Sequence, residues 1–112
     1  MTALQGSCHC GEVKLTLTAL PLELSECNCS ICRRVAGLWH YCGRDEAEIT
    51  GPCQGYVQGD RTLTTWHCGT CGCTTHWTAL DPNYPRIGIN IRMFEPELWQ
   101  DLPRRQIDGA SY

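Results

Sequence analysis

The sequence CHCG, at residues 8 to 11, has a counterpart far along the chain in CGTCG, at residues 68 to 72. Each motif has two cysteines, two or three positions apart, followed by a glycine. Such a knuckle can bring both sulfurs within about 2.3 Å of one zinc ion, because the glycine permits a tight turn. Two knuckles complete a tetrahedron of four thiolates, here Cys8, Cys10, Cys68 and Cys71. The pattern predicts a structural zinc site that ties the start of the chain to a distant hairpin.

A third motif, CNCSIC at residues 27 to 32, contains three cysteines, Cys27, Cys29 and Cys32. If the two knuckles share one zinc ion, these three thiolates have no obvious fourth partner. Three protein ligands with one exchangeable position are typical of catalytic zinc, whereas four are typical of structural zinc. Spacing alone does not decide which motifs share a metal, so the third motif could also pair with either knuckle.

A fourth protein ligand would close the three-cysteine site and make it structural. On spacing alone, that ligand could be a histidine or one of the remaining cysteines, Cys42, Cys53 and Cys73. The alternative for these cysteines is that they are small buried hydrophobic residues or free thiols.

The cysteine content and the N-terminal residues together predict the cellular compartment. Ten cysteines occur in 112 residues, and the first ten residues have no basic start, apolar stretch or cleavage site typical of a secretory signal. No apolar run approaches the roughly 18 residues that a membrane helix needs. We therefore expect a soluble cytoplasmic protein, in which clustered cysteines hold metal rather than form disulfides. At this length we expect one domain, residues 1–112.

The net charge of −3 argues against a nucleic-acid partner, since nucleic-acid-binding proteins normally carry a basic surface. Bound thiolates would add negative charge that zinc offsets only in part. We therefore expect no nucleic-acid partner, and the lack of a long apolar run predicts no membrane partner.

The apolar residues mainly follow a period of two, which indicates β-strands. Residues 12–19 alternate apolar and polar side chains in the way of a half-buried strand. Short β-branched or aromatic runs predict further strands at 38–42, 62–67, 73–79 and 86–94. Short helical turns are predicted at 30–36 and 95–101. The fold class is therefore mainly β, with small sheets joined at zinc knuckles and one or two short helical turns.

Three motifs carry a resemblance to a known family, in their order and separation: CHCGEVKL from residue 8, CNCSICRRVAG from residue 27 and CGTCGC from residue 68. They resemble the glutathione-dependent formaldehyde-activating (GFA) family, also called the CENP-V/GFA family, whose members have the β-tent fold. The resemblance spans nearly the whole chain. The stretches QGDRTLTTWHCGTCGCTTHW and GINIRMFEPELWQ are similar to a short bacterial subgroup of that family.

The resemblance implies a role for each set of cysteines and two zinc ions per chain. It implies that Cys8, Cys10, Cys68 and Cys71 hold a structural zinc ion. It likewise implies that Cys27, Cys29 and Cys32 hold a catalytic one. In the activity that names the family, formaldehyde adds to the sulfur of glutathione and gives S-(hydroxymethyl)glutathione. The resemblance thus implies a carbon–sulfur lyase acting on a thiol–aldehyde adduct.

Residues near the three-cysteine motif are candidates for assisting that chemistry. Arg33 directly follows the third cysteine and could bind a substrate carboxylate or offset thiolate charge. His76 follows the second knuckle closely and is the histidine that we nominate as a proton shuttle. Arg92 and Asn90 are further candidates for glutathione recognition.

The chain is shorter than the enzymes that gave the family its name, so a smaller thiol or another aldehyde is a further alternative. A second reading, from a different class, is a non-catalytic zinc module that binds a protein partner. The three-cysteine motif favours the enzyme, because a binding module gains nothing from an open metal position. A rubredoxin-like iron site is a more distant alternative.

Overall fold

The computed structural model describes residues 4–59 and 61–111, and these residues form ten β-strands. The strands in chain order are β1 Leu4–Ser7, β2 Lys14–Leu17, β3 Leu24–Cys27, β4 Trp39–Gly43, β5 Ala47–Thr50, β6 Cys53–Val57, β7 Leu63–Cys68, β8 Thr74–Ala79, β9 Arg86–Asn90 and β10 Arg104–Ile107. One α-helix, α1, spans Ser30–Val35. Turns of 3₁₀-helix span Arg44–Glu46, Ile91–Met93, Pro96–Leu98 and Gly109–Ser111.

The strands form two sheets. The smaller sheet has the order β1-β2-β5, and the larger has the order β10-β3-β4-β9-β8-β7-β6. All neighbouring strands are antiparallel except β10 and β3, which pair in parallel with Ile107 opposite Cys27. The last strand of the fold therefore lies beside the strand that leads into the three-cysteine motif.

The prediction of a mainly β fold with small sheets and short helical turns is confirmed. Strands β2, β8 and β9 fall within the predicted runs, β4 and β7 extend one residue beyond theirs, and the turn predicted at 30–36 is α1. This helix ends at Ala36, which adopts a left-handed conformation with φ of 54°. The second predicted turn is a single turn of 3₁₀-helix, Pro96–Leu98.

The core lies between the two sheets and consists mainly of aliphatic side chains, together with Cys8, Cys42, Cys68 and Phe94. Leu15 and Leu17 of β2 face it from the small sheet, and Ile87 and Ile89 of β9 face it from the large one. Burying each such side chain stabilises the fold by roughly 1.5–3 kcal/mol. No helix within the described residues is long and apolar enough to cross a membrane.

The opposite face of the large sheet carries aromatic side chains. Gly88 of β9 pairs with Tyr41 on one side and with Trp77 on the other, so these positions share one face. The rings of Tyr41 and Trp77 pack edge to face, with 5.7 Å between their centroids. This face forms part of the cavity described below.

Candidate metal centres and the adjoining cavity

The four-cysteine cluster consists of Cys8, Cys10, Cys68 and Cys71, whose sulfurs all lie within 4.8 Å of one another. The distance from the sulfur of Cys10 to that of Cys8 is 3.6 Å, and to that of Cys68 it is 3.7 Å. Sulfurs at the corners of a tetrahedron with metal–sulfur distances of about 2.3 Å would be about 3.8 Å apart. The cluster therefore has the size that a metal ion needs.

In both knuckles, backbone N–H groups point toward the cysteine sulfurs. Gly11 and Gly72 have positive φ angles, +85° and +83°, which glycine adopts without strain and which allow the predicted tight turns. The N–H of Val13 lies 3.3 Å from the sulfur of Cys8. The pKa of the Cys71 thiol is lowered to about 5, first by the backbone N–H of Cys73 and then by that of Cys10. Such donors favour the thiolate, the form that binds metal.

The three-cysteine cluster consists of Cys27, Cys29 and Cys32, whose sulfurs also lie within 4.8 Å of one another. Cys27 ends β3, Cys29 caps the N-terminus of α1, and Cys32 lies in the first turn of that helix. The backbone N–H of Cys32 donates to the sulfur of Cys29 over 3.5 Å. Burial raises the pKa of the Cys29 thiol, but N–H donors led by that of Cys32 outweigh it and leave the pKa lowered.

Within residues 4–59 and 61–111, no other histidine, cysteine, aspartate or glutamate joins the three-cysteine cluster. Cys42 is a buried core residue on β4, and burial, followed by Glu46 and Asp45, raises its thiol pKa to about 11. Cys53 and Cys73 instead pack against the core beside the four-cysteine cluster. The three thiolates would thus leave one position of a tetrahedral metal ion without a ligand from the described residues.

A cavity of about 690 Å³ adjoins the three-cysteine cluster and is lined by all three of its cysteines. Its other walls include aromatic residues and two arginines: Trp39, Tyr41, Trp77, Tyr84, Arg86 and Arg105. Among the described residues, no aspartate or glutamate lines it. A volume of this size falls in the range of small-molecule sites.

The two cavity arginines keep their charge available for a ligand. The guanidinium of Arg86 lies 5.0 Å from the ring centroid of Tyr41 and donates to the hydroxyl of Tyr84 over 3.2 Å. Over the described part of the chain, neither Arg86 nor Arg105 forms an ion pair, whereas Arg104 pairs with Glu26 at 3.8 Å. A carboxylate entering the cavity would therefore meet two arginines that no described aspartate or glutamate already pairs with.

The segment after β10 covers the three-cysteine cluster. A side chain at Gly109 would place its Cβ 2.5 Å from the sulfur of Cys27, so only glycine fits there. Asn28 holds the segment in place, because its amide donates to Asp108 and its carbonyl oxygen accepts from the N–H of Ala110, each over 2.9 Å. The cluster is thus packed on one side and faces the cavity on another.

Other nominated residues lie outside this cavity lining. Arg33 is exposed on α1, where its backbone N–H donates to the carbonyl of Cys29. The side chain of Arg92 donates to the carbonyl of Ala36, while Asn90 is buried and donates to the carbonyl of Thr74. The cavity lining as described contains Arg86 and Arg105 instead. The alternation of side chains along the predicted strands β4 and β9 could have indicated that Arg86 lies on the same face as Tyr41. No local pattern in the sequence indicates that Arg105 lies at the cavity.

His76 is buried in the sheet rather than in the cavity lining. Its ring stacks on that of Trp66 at 6.0 Å, and its Nδ1 lies 2.8 Å from the hydroxyl of Thr75. Burial lowers the pKa of His76 to about 4. Its imidazole is therefore neutral at physiological pH.

The buried His76 should make the fold acid-sensitive between pH 6.5 and 4. The unfolded chain protonates this histidine below its ordinary pKa of 6.5, whereas the folded chain does so only near 4. Its contribution to the free energy of unfolding should therefore fall by about 3 kcal/mol as the pH drops through this range. An NMR titration of the His76 ring should give a midpoint near 4. A midpoint near 6.5 would contradict the expectation.

One protein-family model matches most of the chain. The family model for the glutathione-dependent formaldehyde-activating enzyme matches residues 3–101. The chain belongs to this GFA family. Both cysteine clusters of this GFA protein lie inside the matched residues, whereas β10 and the segment that covers Cys27 lie beyond them.

Individual relatives agree with the family assignment. A Halomonas elongata protein, with the provisional name of glutathione-dependent formaldehyde-activating enzyme, is 32% identical over 113 residues, covering 90% of this chain and 69% of its own. The crystal structure of a Rhodobacter sphaeroides protein matches with a TM-score of 0.74 and 26% identity, over 91% of this chain and 100% of that chain. The GFA assignment and the fold are therefore supported independently.

Proposed function

We propose that this GFA-family protein is a zinc-dependent carbon–sulfur lyase that forms or cleaves the adduct of formaldehyde with glutathione or a related small thiol. The observation that carries the proposal is the three-cysteine cluster, which lies at the wall of a cavity with two arginines that form no ion pair among the described residues. A closed structural site would need neither the cavity nor its charge. We also propose that the protein is one cytoplasmic domain.

Each cluster has a separate role in this proposal. Cys8, Cys10, Cys68 and Cys71 would hold a structural zinc ion with four protein ligands. Cys27, Cys29 and Cys32 would hold a second zinc ion. Zinc bound there would make a nearby thiol more acidic or polarise a carbonyl oxygen.

The reaction transfers one proton and involves no oxidation or reduction. In the direction of addition, a sulfur lone pair of the thiol forms a bond to the carbonyl carbon of formaldehyde. The π pair of the C=O bond moves to oxygen, and the proton lost from sulfur ends there, giving an S-hydroxymethyl adduct. Cleavage reverses these steps.

Residues of the cavity can bind and orient the substrate. Arg86 and Arg105 would bind carboxylates of the thiol, and Arg86 is already held by Tyr41 and Tyr84. Burial, followed by the charges of Cys27 and Cys32, raises the pKa of Tyr41. Its hydroxyl therefore stays protonated at neutral pH and can donate to the oxygen that gains charge. The roles first assigned to Arg33 and His76 stay predictions.

Protein-accelerated exchange between ¹³C-labelled formaldehyde and its glutathione adduct, followed by NMR, tests the proposal. Zinc per chain should be measured on the same sample. Two zinc ions with acceleration are expected. Two zinc ions with no acceleration for glutathione or smaller thiols would overturn the lyase and favour a non-catalytic zinc module.

Neutralising the cavity arginines should weaken thiol binding more than turnover. Arg86→Gln and Arg105→Gln should each raise KM for glutathione about tenfold, as loss of a charge-assisted hydrogen bond predicts, with a smaller effect on kcat. Arg104→Gln is the matched control, because Arg104 precedes Arg105 on β10 but pairs with Glu26. If KM for Arg86→Gln and Arg105→Gln stayed at the value of Arg104→Gln and of the parent protein, the cavity arginines would not bind the substrate.

A further inference from the structure

The indole of Trp39 has a buried N–H group without an acceptor. The residue is 2% exposed, and its Nε1 is the one buried side-chain nitrogen or oxygen among the described residues that lacks a hydrogen-bond partner. Such a donor is unfavourable when it stays unpaired, because folding takes away its hydrogen bonds to water without replacing them. Trp66 and Trp99, in contrast, each donate their indole N–H group to an oxygen atom over 2.9 Å.

The position of Trp39 places this donor beside the three-cysteine cluster. Its ring lies directly over Gly37, where any side chain would overlap it, and it lines the same cavity as Cys32. Burial, followed by the neighbouring Cys29, raises the pKa of the Cys32 thiol, and the nearby Trp39 side chain opposes that rise. An indole N–H can only donate, and a thiolate can only accept. The two groups are therefore complementary once Cys32 is deprotonated.

We propose that Trp39 is a positioning residue for the metal centre, whose Nε1–H donates to the thiolate of Cys32 when a metal ion is bound. The unpaired donor thereby gains its acceptor. This inference rests on metal binding at the three-cysteine cluster and is independent of the reaction that the cluster supports.

The hydrogen bond would make Cys32 a more stable and less reactive ligand. An N–H donor withdraws electron density from a thiolate, which stabilises its charge and weakens its attack on electrophiles. Cys29 receives the corresponding donors from the backbone of Cys32 and Ile31. In a cavity that admits an aldehyde, such donors would keep the cysteine sulfurs bound to the metal. The aldehyde would then react with the substrate thiol and not with a cysteine ligand.

Trp39→Phe should weaken metal binding at one cluster only. Loss of such a supporting contact typically lowers metal affinity 10–100-fold, so we expect zinc to leave the three-cysteine cluster at least about ten times faster, as measured with a chromogenic chelator. The release phase of the four-cysteine cluster should not change. In the cobalt-substituted protein, the thiolate-to-metal charge-transfer band should move to longer wavelength. Trp77→Phe is the matched control, because Trp77 lines the same cavity but packs on Tyr41.

A ring isostere separates the hydrogen bond from packing. β-Benzothienylalanine at position 39, introduced by chemical ligation, keeps the shape of indole and replaces the N–H by sulfur. Faster zinc release and a shifted cobalt band in this protein would support the proposal even if Trp39→Phe does not fold. Release and spectra identical to those of the unmodified protein would overturn it. Neither readout needs substrate, so a failed lyase assay would not affect the result.

Discussion

Cys68→Ser is expected to unfold the protein under conditions in which the parent chain is folded. Cys68 is 1% exposed and ends β7, where its sulfur accepts from the N–H groups of Thr70 and Cys71. Structural zinc sites contribute about 10–16 kcal/mol of binding free energy, which is comparable with the total stability of about 5–15 kcal/mol for a whole domain. Circular dichroism and thermal unfolding should show loss of the cooperative transition, and a strong chelator should do the same to the parent protein.

Cys73→Ser is the matched control for this change. Cys73 follows the same knuckle and packs against the core, but its sulfur is not part of the four-cysteine cluster. We expect this variant to fold with two metal ions per chain and to lose no more than about 1–3 kcal/mol. If Cys68→Ser instead melted like Cys73→Ser and kept both metal ions, the four-cysteine cluster would not be a structural metal site.

Cys29→Ser is expected to abolish the exchange reaction while leaving the protein folded. A serine hydroxyl is a poor zinc ligand, so the metal content should fall from two ions per chain to one. The exchange rate should fall by at least about 10³-fold, as when an essential catalytic group is removed. The fold should persist because the three-cysteine cluster is only half-buried and lies outside the core. Metal analysis, thermal unfolding and the NMR exchange assay measure these three outcomes.

The comparison for Cys29→Ser is Cys42→Ser, which changes a cysteine that belongs to neither cluster. Cys42 is buried on β4, so its replacement should lower stability without changing metal content or exchange. A Cys29→Ser protein with both metals and full activity would contradict a catalytic role for the three-cysteine cluster.

The sequence predicted the elements whose physical cause is local. A strand such as β2 was predictable because its side chains alternate between the core and solvent. Strands β1, β6 and β10 were missed, since each is an edge strand with mainly exposed or half-buried residues and no apolar alternation. Strand β3 was missed because its sequence, LSEC, does not alternate between apolar and polar residues, and β5 was missed because it is the other edge of the small sheet and has no buried residue.

The candidate site was predictable only in part, for a related reason. Short spacings place the cysteines in three motifs, and the resemblance to the GFA family implies which motifs share a metal. The structure brings together the same sets of four and three. The charge of the cavity depends on strand register instead. Arg33 adjoins a cluster cysteine in sequence but is exposed on α1, whereas Arg105 reaches the cavity through pairing of β10 with β3.

The parallel pairing of β10 with β3 also has a consequence for the order of folding during synthesis. Asn28 and Asp108, which join the covering segment to the three-cysteine cluster, are 80 residues apart in sequence. Contacts of such long range form late, because the intervening chain must first be ordered. The three thiolates therefore leave the ribosome long before Arg105 and Gly109 exist to cover them. Under the proposed function, the nascent chain could bind metal at the three-cysteine cluster before the wall of the cavity formed by Arg105 and Gly109 is in place.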